Sequence, residues 1–178
     1  MKKLSHEEIL KVKPSVQKVK KKERSNFCAL LENVRSLHNV GAIFRTSDAV
    51  LLGKLYLCGI TGTPPRNEIR KTALGAEEVV PWEHNDEAIE IVKKLKKNGY
   101  TIVAVELAHD SVEFTKAKYD FPVCFIFGHE VNGISDELME YVDMSVIVPM
   151  LGRANSLNVA TCYGIIVYDA LKKLNEKK

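Results

Sequence analysis

The chain has 178 residues, a length suited to one domain, and 46% of them are hydrophobic, enough for a sizeable core. The formal net charge is only +3, but residues 1–24 carry nine Lys or Arg against three Asp or Glu, so this arm is net +6 and the remainder net −3. No apolar run approaches the ~20 residues that a membrane-spanning helix needs. No apolar segment follows the first lysines as a secretory signal would require, so a soluble, cytoplasmic protein is expected.

The N-terminal stretch 5–22 reads as a helix N-capped at Ser5 that Pro14 breaks or kinks, leaving a basic extension (1–24) ahead of one domain (25–178). Lys18, Lys20, Lys21 and Lys22 at its end suit a phosphate backbone, with a solvated helix face as the alternative. From Phe27 the pattern alternates. A strand is predicted at Phe27–Leu31, a helix from Asn39 to Leu51, a strand at Lys54–Cys58, a helix near Asn67–Leu74 and a short strand at Glu77–Pro81. Asp86 is the expected cap of a helix that runs to Lys97 and ends at Asn98-Gly99. Strands follow at Tyr100–Glu106 and Pro122–Phe127, then a short helix from Ser135 to Tyr141, a strand at Ser145–Val148 and a long helix from Ser156 to Leu174. Apolar strands separated by helices predict an α/β fold, a mostly parallel sheet with helices on both faces. In such sheets ligands bind beyond the carboxyl ends of the strands.

Cys28, Cys58, Cys124 and Cys162 show no C-x-x-C and no histidine in ligand register, so no metal is expected. Each lies in an apolar segment and reads as a reduced core residue, a catalytic thiol being the lesser alternative. Three polar or glycine-bearing segments at strand ends hold the candidate chemistry. In NVRSLHNVGAIFRTSDAV (33–50), Asn33 and Asn39 bracket a loop, and Arg45 stands on a largely apolar helix. It serves there either as an ion-pair partner of a carboxylate such as Asp48 or as a fork for a phosphate or oxyanion. In FGHEVNGIS (127–135), Gly128 permits close backbone approach and Gly133 suits a positive-φ turn around Glu130, although an ordinary strand-to-helix turn has the same look. The dipeptide His129-Glu130 alone is weak support for metal or acid/base chemistry. In VPMLGRANSLNVATCYG (148–164), Ser156 reads as a helix N-cap, and Asn158 lies in the first turn beside free N–H groups that attract a polar ligand. No G-x-G-x-x-G follows a strand, and the P-loop, H-E-x-x-H and G-x-S-x-G patterns are absent.

These three segments, in this order and spacing, resemble the three motifs of the SpoU/TrmH methyltransferases of the SPOUT superfamily, and the resemblance runs from about Cys28 to Leu171. It implies a C-terminal deep trefoil knot, an S-adenosylmethionine site built from the knot loops, and a homodimer in which Arg45 of one subunit faces the cofactor of the other. It assigns Arg45, Glu130, Ser156 and Asn158 as catalytic residues. Leu107, Gly128, Glu130, Ile147, Met150, Ser156 and Leu157 become cofactor-binding positions, and Asn33, Asn39 and Arg45 join the lysines of the arm as RNA-binding ones. The implied activity is methylation of a ribose 2′-hydroxyl in RNA, with tRNA the leading target. Ribosomal RNA, or a non-catalytic RNA-binding module of the same fold, are the alternatives. Target choice is then expected to rest on the arm and the dimer surface rather than on a further N-terminal RNA-binding domain.

Overall fold

A computed structural model describes residues 2–177. Seven strands form one sheet: β1 (Phe27–Glu32), β2 (Leu55–Cys58), β3 (Trp82–Asn85), β4 (Thr101–Val105), β5 (Val112–Glu113), β6 (Val123–Phe127) and β7 (Met144–Ile147). Their order is β3-β2-β1-β6-β4-β7-β5, and every adjacent pair is parallel. The chain crosses over repeatedly, so that β4 ends between two strands that follow it in sequence, β6 and β7.

The near-continuous apolar runs of β1 and β6 reflect burial on both faces, with side chains alternating between two cores. Ala29, Leu31, Phe125 and Phe127 point to one core with α3 (Leu37–Ala49), α4 (Asn67–Ala73) and α7 (Val159–Glu176), which contribute Ile43, Phe44, Ile69, Tyr163 and Val167. Cys28, Leu30, Cys124 and Ile126 face the other, covered by α5 (Ala88–Lys97) and α6 (Asp136–Met139) through Ile91, Val92, Leu95 and Leu138. Where α3 meets α7, the Ser47 and Tyr163 hydroxyls share a buried 2.6 Å hydrogen bond. Among the described residues no helix is long and apolar enough to cross a membrane.

Several boundaries differ from the sequence reading. The strand expected at Glu77–Pro81 is a 3-10 turn at Ala76–Glu78, and β3 begins only at Trp82. Gly75 at φ 91 turns the chain tightly, the N–H groups of Val79 and Val80 both donate to the Ala76 carbonyl, and Val79 and Val80 are buried in the core. Their β-branched pattern therefore records burial and not a sheet ladder. Asp86 does not cap α5. Glu87 is the N-cap residue, and the Asn85 side chain accepts its N–H. Helix α3 starts two residues before Asn39 because Ser36 caps it, and β5, two residues long, carries too little pattern to be seen. Ser156 is not the cap of α7. Asn158 is, its Oδ1 accepting from Ala160 N and Thr161 N at 3.0 and 3.3 Å.

The basic extension forms α1 (His6–Val12), with Ser5 and Glu8 in a capping box, and α2 (Val16–Lys20), the two separated at Pro14. It is anchored by Val19, which is buried in the main core, and by the Arg24 guanidinium, which donates to the Val79 carbonyl at 2.8 Å. Lys18, Lys20, Lys21 and Lys22 all remain exposed.

Candidate active site

The carboxyl ends of β4, β6 and β7 open on a cavity of about 840 Å3, within the range of small-molecule sites. Leu107, Gly128, Glu130, Ile147, Met150, Ser156 and Leu157, dispersed over fifty residues, all line it. One wall is the turn 128–133, where His129 and Gly133 exchange two backbone hydrogen bonds at 2.9 and 3.0 Å. Gly128 is required there by crowding: a Cβ would stand 2.2 Å from the Gly133 carbonyl carbon and 2.3 Å from Ile134 N. Gly133 is required by its φ of 69, which side chains disfavour.

Two carboxylates that the sequence reading passed over brace this turn. Glu32, at the end of β1 and only 6% exposed, accepts from Ser135 N at 2.9 Å and from its hydroxyl at 2.6 Å. Glu106, directly after β4, accepts from Ile134 N at 3.1 Å. The Ser135 side chain thus serves β1 and not the end of α6. The opposite wall differs: residues 149–157 make no hydrogen bond within the chain among the described residues.

At the mouth of the cavity the three motifs join. Glu130 accepts Arg35 N on Oε2 at 3.0 Å, and Ser36 N and Asn39 Nδ2 on Oε1 at 3.0 and 3.2 Å. Asn39 Oδ1 in turn accepts from Asn158 Nδ2 at 3.1 Å. Partial burial pushes the Glu130 carboxyl up, but hydrogen bonds from the backbone N–H groups of Arg35, Ser36 and Glu130 itself and from the Asn39 amide together hold the group below the ordinary carboxylate value. Glu130 is therefore a charged clamp on the first-motif loop and a poor proton acceptor.

The remaining candidates lie apart. Arg45 is exposed on α3, outside the cavity, and makes no ion pair with Asp48 or any other carboxylate among the described residues. Asn33, at φ 57, spends its Oδ1 on Ile60 N at 3.1 Å and ties the end of β1 to the loop after β2. Cys162 does line the cavity, but burial, assisted by Glu106, pushes its thiol up to about 11, so it is not a thiolate nucleophile near neutrality. Cys58, buried at the end of β2, is pushed up to about 12 chiefly by burial. Among the described residues no three His, Cys, Asp or Glu side chains are grouped so as to hold a metal ion.

A parallel α/β domain with a ligand-sized cavity at its strand ends, closed by three polar motifs, is the class of protein these features define. Residues 26–168 match the model of the SpoU rRNA Methylase family, and the chain belongs to that family. It is 34% identical over 163 residues to a tRNA (guanosine(18)-2'-O)-methyltransferase of Aquifex aeolicus, covering 91% of this chain and 76% of the relative. A Thermus thermophilus protein of the same description is 31% identical over 158 residues, covering 89% and 80%. Among solved structures, an A. aeolicus TrmH/SpoU tRNA modifying enzyme superposes with a TM-score of 0.81 at 33% identity, over 91% of this chain and 82% of that one. An AdoMet-bound rRNA methyltransferase from Sinorhizobium meliloti gives 0.79 at 27% identity, over 86% and 59%.

Proposed function

We propose that this chain is an S-adenosylmethionine-dependent methyltransferase acting on a ribose 2′-hydroxyl of tRNA. The observation that carries the reading is the Glu130–Asn39–Asn158 network, which connects all three motifs at the mouth of one cavity. The guanosine-18 tRNA methyltransferases that are 34% and 31% identical to it favour tRNA over ribosomal RNA.

The cavity suits the cofactor chemically. Leu107, Ile147, Met150 and Leu157 offer apolar contacts for a purine, while the Ser156 hydroxyl and the free backbone groups of 149–157 suit its polar parts. The chemistry supplied by bound S-adenosylmethionine is an electrophilic sulfonium methyl group. The chain's own contribution is to align the attacking hydroxyl and to stabilise the charge that develops on its oxygen. Asn39 and Asn158, each fixed by the other and by Glu130 or the start of α7, hold the first motif against the cavity. The Arg45 guanidinium, a planar fork of N–H donors, grips the phosphate beside the target ribose and stabilises the developing alkoxide.

Since Arg45 is exposed and does not line the cavity of its own chain, this role belongs to a homodimer in which it reaches the partner's site. The reading also includes the trefoil knot implied by the family resemblance, a cytoplasmic location, and the division into a basic extension (1–24) and a methyltransferase domain (25–178). The family match beginning at residue 26 supports that division. The exposed Lys18, Lys20, Lys21 and Lys22 act as an additional contact to the RNA backbone.

Incubation with labelled S-adenosylmethionine and total RNA, followed by mapping of the modified nucleotide, tests the function. Ribose label in tRNA is expected. Label in ribosomal RNA alone overturns the target, and label in neither overturns the enzyme. Arg45→Lys is expected to lose most turnover, because lysine cannot reproduce the bidentate fork, and near wild-type turnover would refute that role.

A further inference from the structure

Beside the main cavity lies a second one of about 400 Å3, lined by Arg35, Ser36, Asn39, His129, Glu130 and Val131. His129, Glu130 and Val131 line both, so the turn at 129–131 is the partition between them. The side-chain acceptors of this second wall are already engaged. Glu130 takes three N–H bonds, and the Asn39 amide is spent on Glu130 and Asn158.

What is left over is a set of donors. His129 Nδ1 lies 3.0 Å from Val131 N and 3.1 Å from Asn132 N, both backbone donors. A ring nitrogen that accepts carries no hydrogen, so the neutral imidazole bears its proton on Nε2. That nitrogen has no partner among the described residues. The Ser36 hydroxyl accepts from Asn39 N at 3.3 Å and keeps its own hydrogen free. The Arg35 guanidinium makes no hydrogen bond or ion pair among the described residues, only its backbone N–H being engaged. A ring N–H, a hydroxyl and a guanidinium fork together call for an anion with several acceptor oxygens.

We propose that the second cavity is a phosphate subsite for the RNA backbone beside the target ribose, with His129 Nε2–H as its fixed donor and Arg35 as its charge. This rests on the RNA methyltransferase reading. His129 then does two different things with its two nitrogens: Nδ1 braces the turn on the cofactor side, and Nε2 contacts RNA on the other.

Two near-isosteric variants separate these roles. Asparagine keeps an acceptor where Nδ1 stands and loses the far donor, whereas glutamine keeps an amide N–H near Nε2 and loses the near acceptor. Binding of total tRNA and of S-adenosylmethionine is measured separately. His129→Asn is expected to weaken tRNA binding roughly 10-fold while cofactor affinity stays within about twofold. His129→Gln is expected to do the reverse. Arg35→Ala should lower the slope of log K against log salt by about one, and His129→Asn should leave that slope unchanged, since a neutral donor releases no counterion. Wild-type tRNA affinity in His129→Asn, or an unaltered slope in Arg35→Ala, overturns the subsite. Wild-type protein that binds tRNA without methylating it would overturn the enzyme reading instead, and these binding measurements would still judge the subsite.

Discussion

Gly128→Ala tests whether the turn at 128–133 is as tightly fixed as its crowding implies. The new methyl group would meet Gly133 C, Ile134 N and Gly133 O at 2.2, 2.3 and 2.4 Å. All three are backbone atoms, so no side chain can swing away. Ordinary contacts at ~3.5 Å or more require a backbone displacement of about 1 Å. Such a shift strains both bonds between His129 and Gly133. Overpacking at about 1–3 kcal/mol and two neutral hydrogen bonds at about 1 kcal/mol each give a destabilisation of about 3–5 kcal/mol. At about 2–4 °C per kcal/mol for a chain of this size, Tm should fall by roughly 6–20 °C. Calorimetric affinity for S-adenosylmethionine should fall with it, because the displaced turn is a wall of the cavity. Gly152→Ala, in the same cavity but with no heavy atom within 4 Å of the new Cβ, is the control and should keep Tm within about 2 °C. Wild-type Tm and affinity in Gly128→Ala would refute the reasoning, showing that the turn has slack.

Three other outcomes are expected. Asn158→Ser retains a cap for α7 but loses the link to Asn39, so Tm should stay within about 2 °C of wild type while methylation slows by about 10-fold or more; full activity would show that the link is dispensable. Because the folded-state pKa of Glu130 is depressed, its contribution to stability is complete above the ordinary value of 4.5 and disappears as pH falls through the lower folded value. The Tm difference between wild type and Glu130→Gln should therefore be constant above about pH 5 and shrink in acid, and a difference that grew in acid would contradict the clamp. Replacing Lys18, Lys20, Lys21 and Lys22 with serine, which leaves Val19 in the core, should flatten the salt dependence of tRNA binding by up to about three units of slope; an unchanged slope would make the arm a solvated helix face.

The strands that run through the middle of the sheet were legible because burial on two faces makes them nearly all apolar, as in FCALLE and VCFIF. Val79 and Val80 misled for the same reason, since a buried turn and a buried strand select the same residues. The site was legible as three separate motifs, and their resemblance to a known family singled out seven dispersed positions that all line one cavity. Glu32 and Glu106 were visible as acids closing apolar strands. Their targets lie 103 and 28 residues downstream, however, and a single sequence carries no mark of so distant a hydrogen bond. Asn33 had a local signature of turn chemistry, and its tie to Ile60 makes structural use of it. Arg45 stood out as a charge on an apolar helix, and it lies at an exposed position of α3 with no ion-pair partner among the described residues.

The two walls of the main cavity differ in how they are held, and this divides the entropy of binding between them. The 128–135 side is preorganised, with Glu32, Glu106 and Glu130 fixing it before any ligand arrives, so contacts made there cost little conformational freedom. The 149–157 side makes no hydrogen bond within the chain among the described residues, so it has more conformational freedom for a ligand to restrict. Ligands that differ only in the part facing the braced turn should therefore differ mainly in enthalpy. Those that differ in the part facing the unbraced loop should show large, mutually compensating changes in enthalpy and entropy with little net change in affinity.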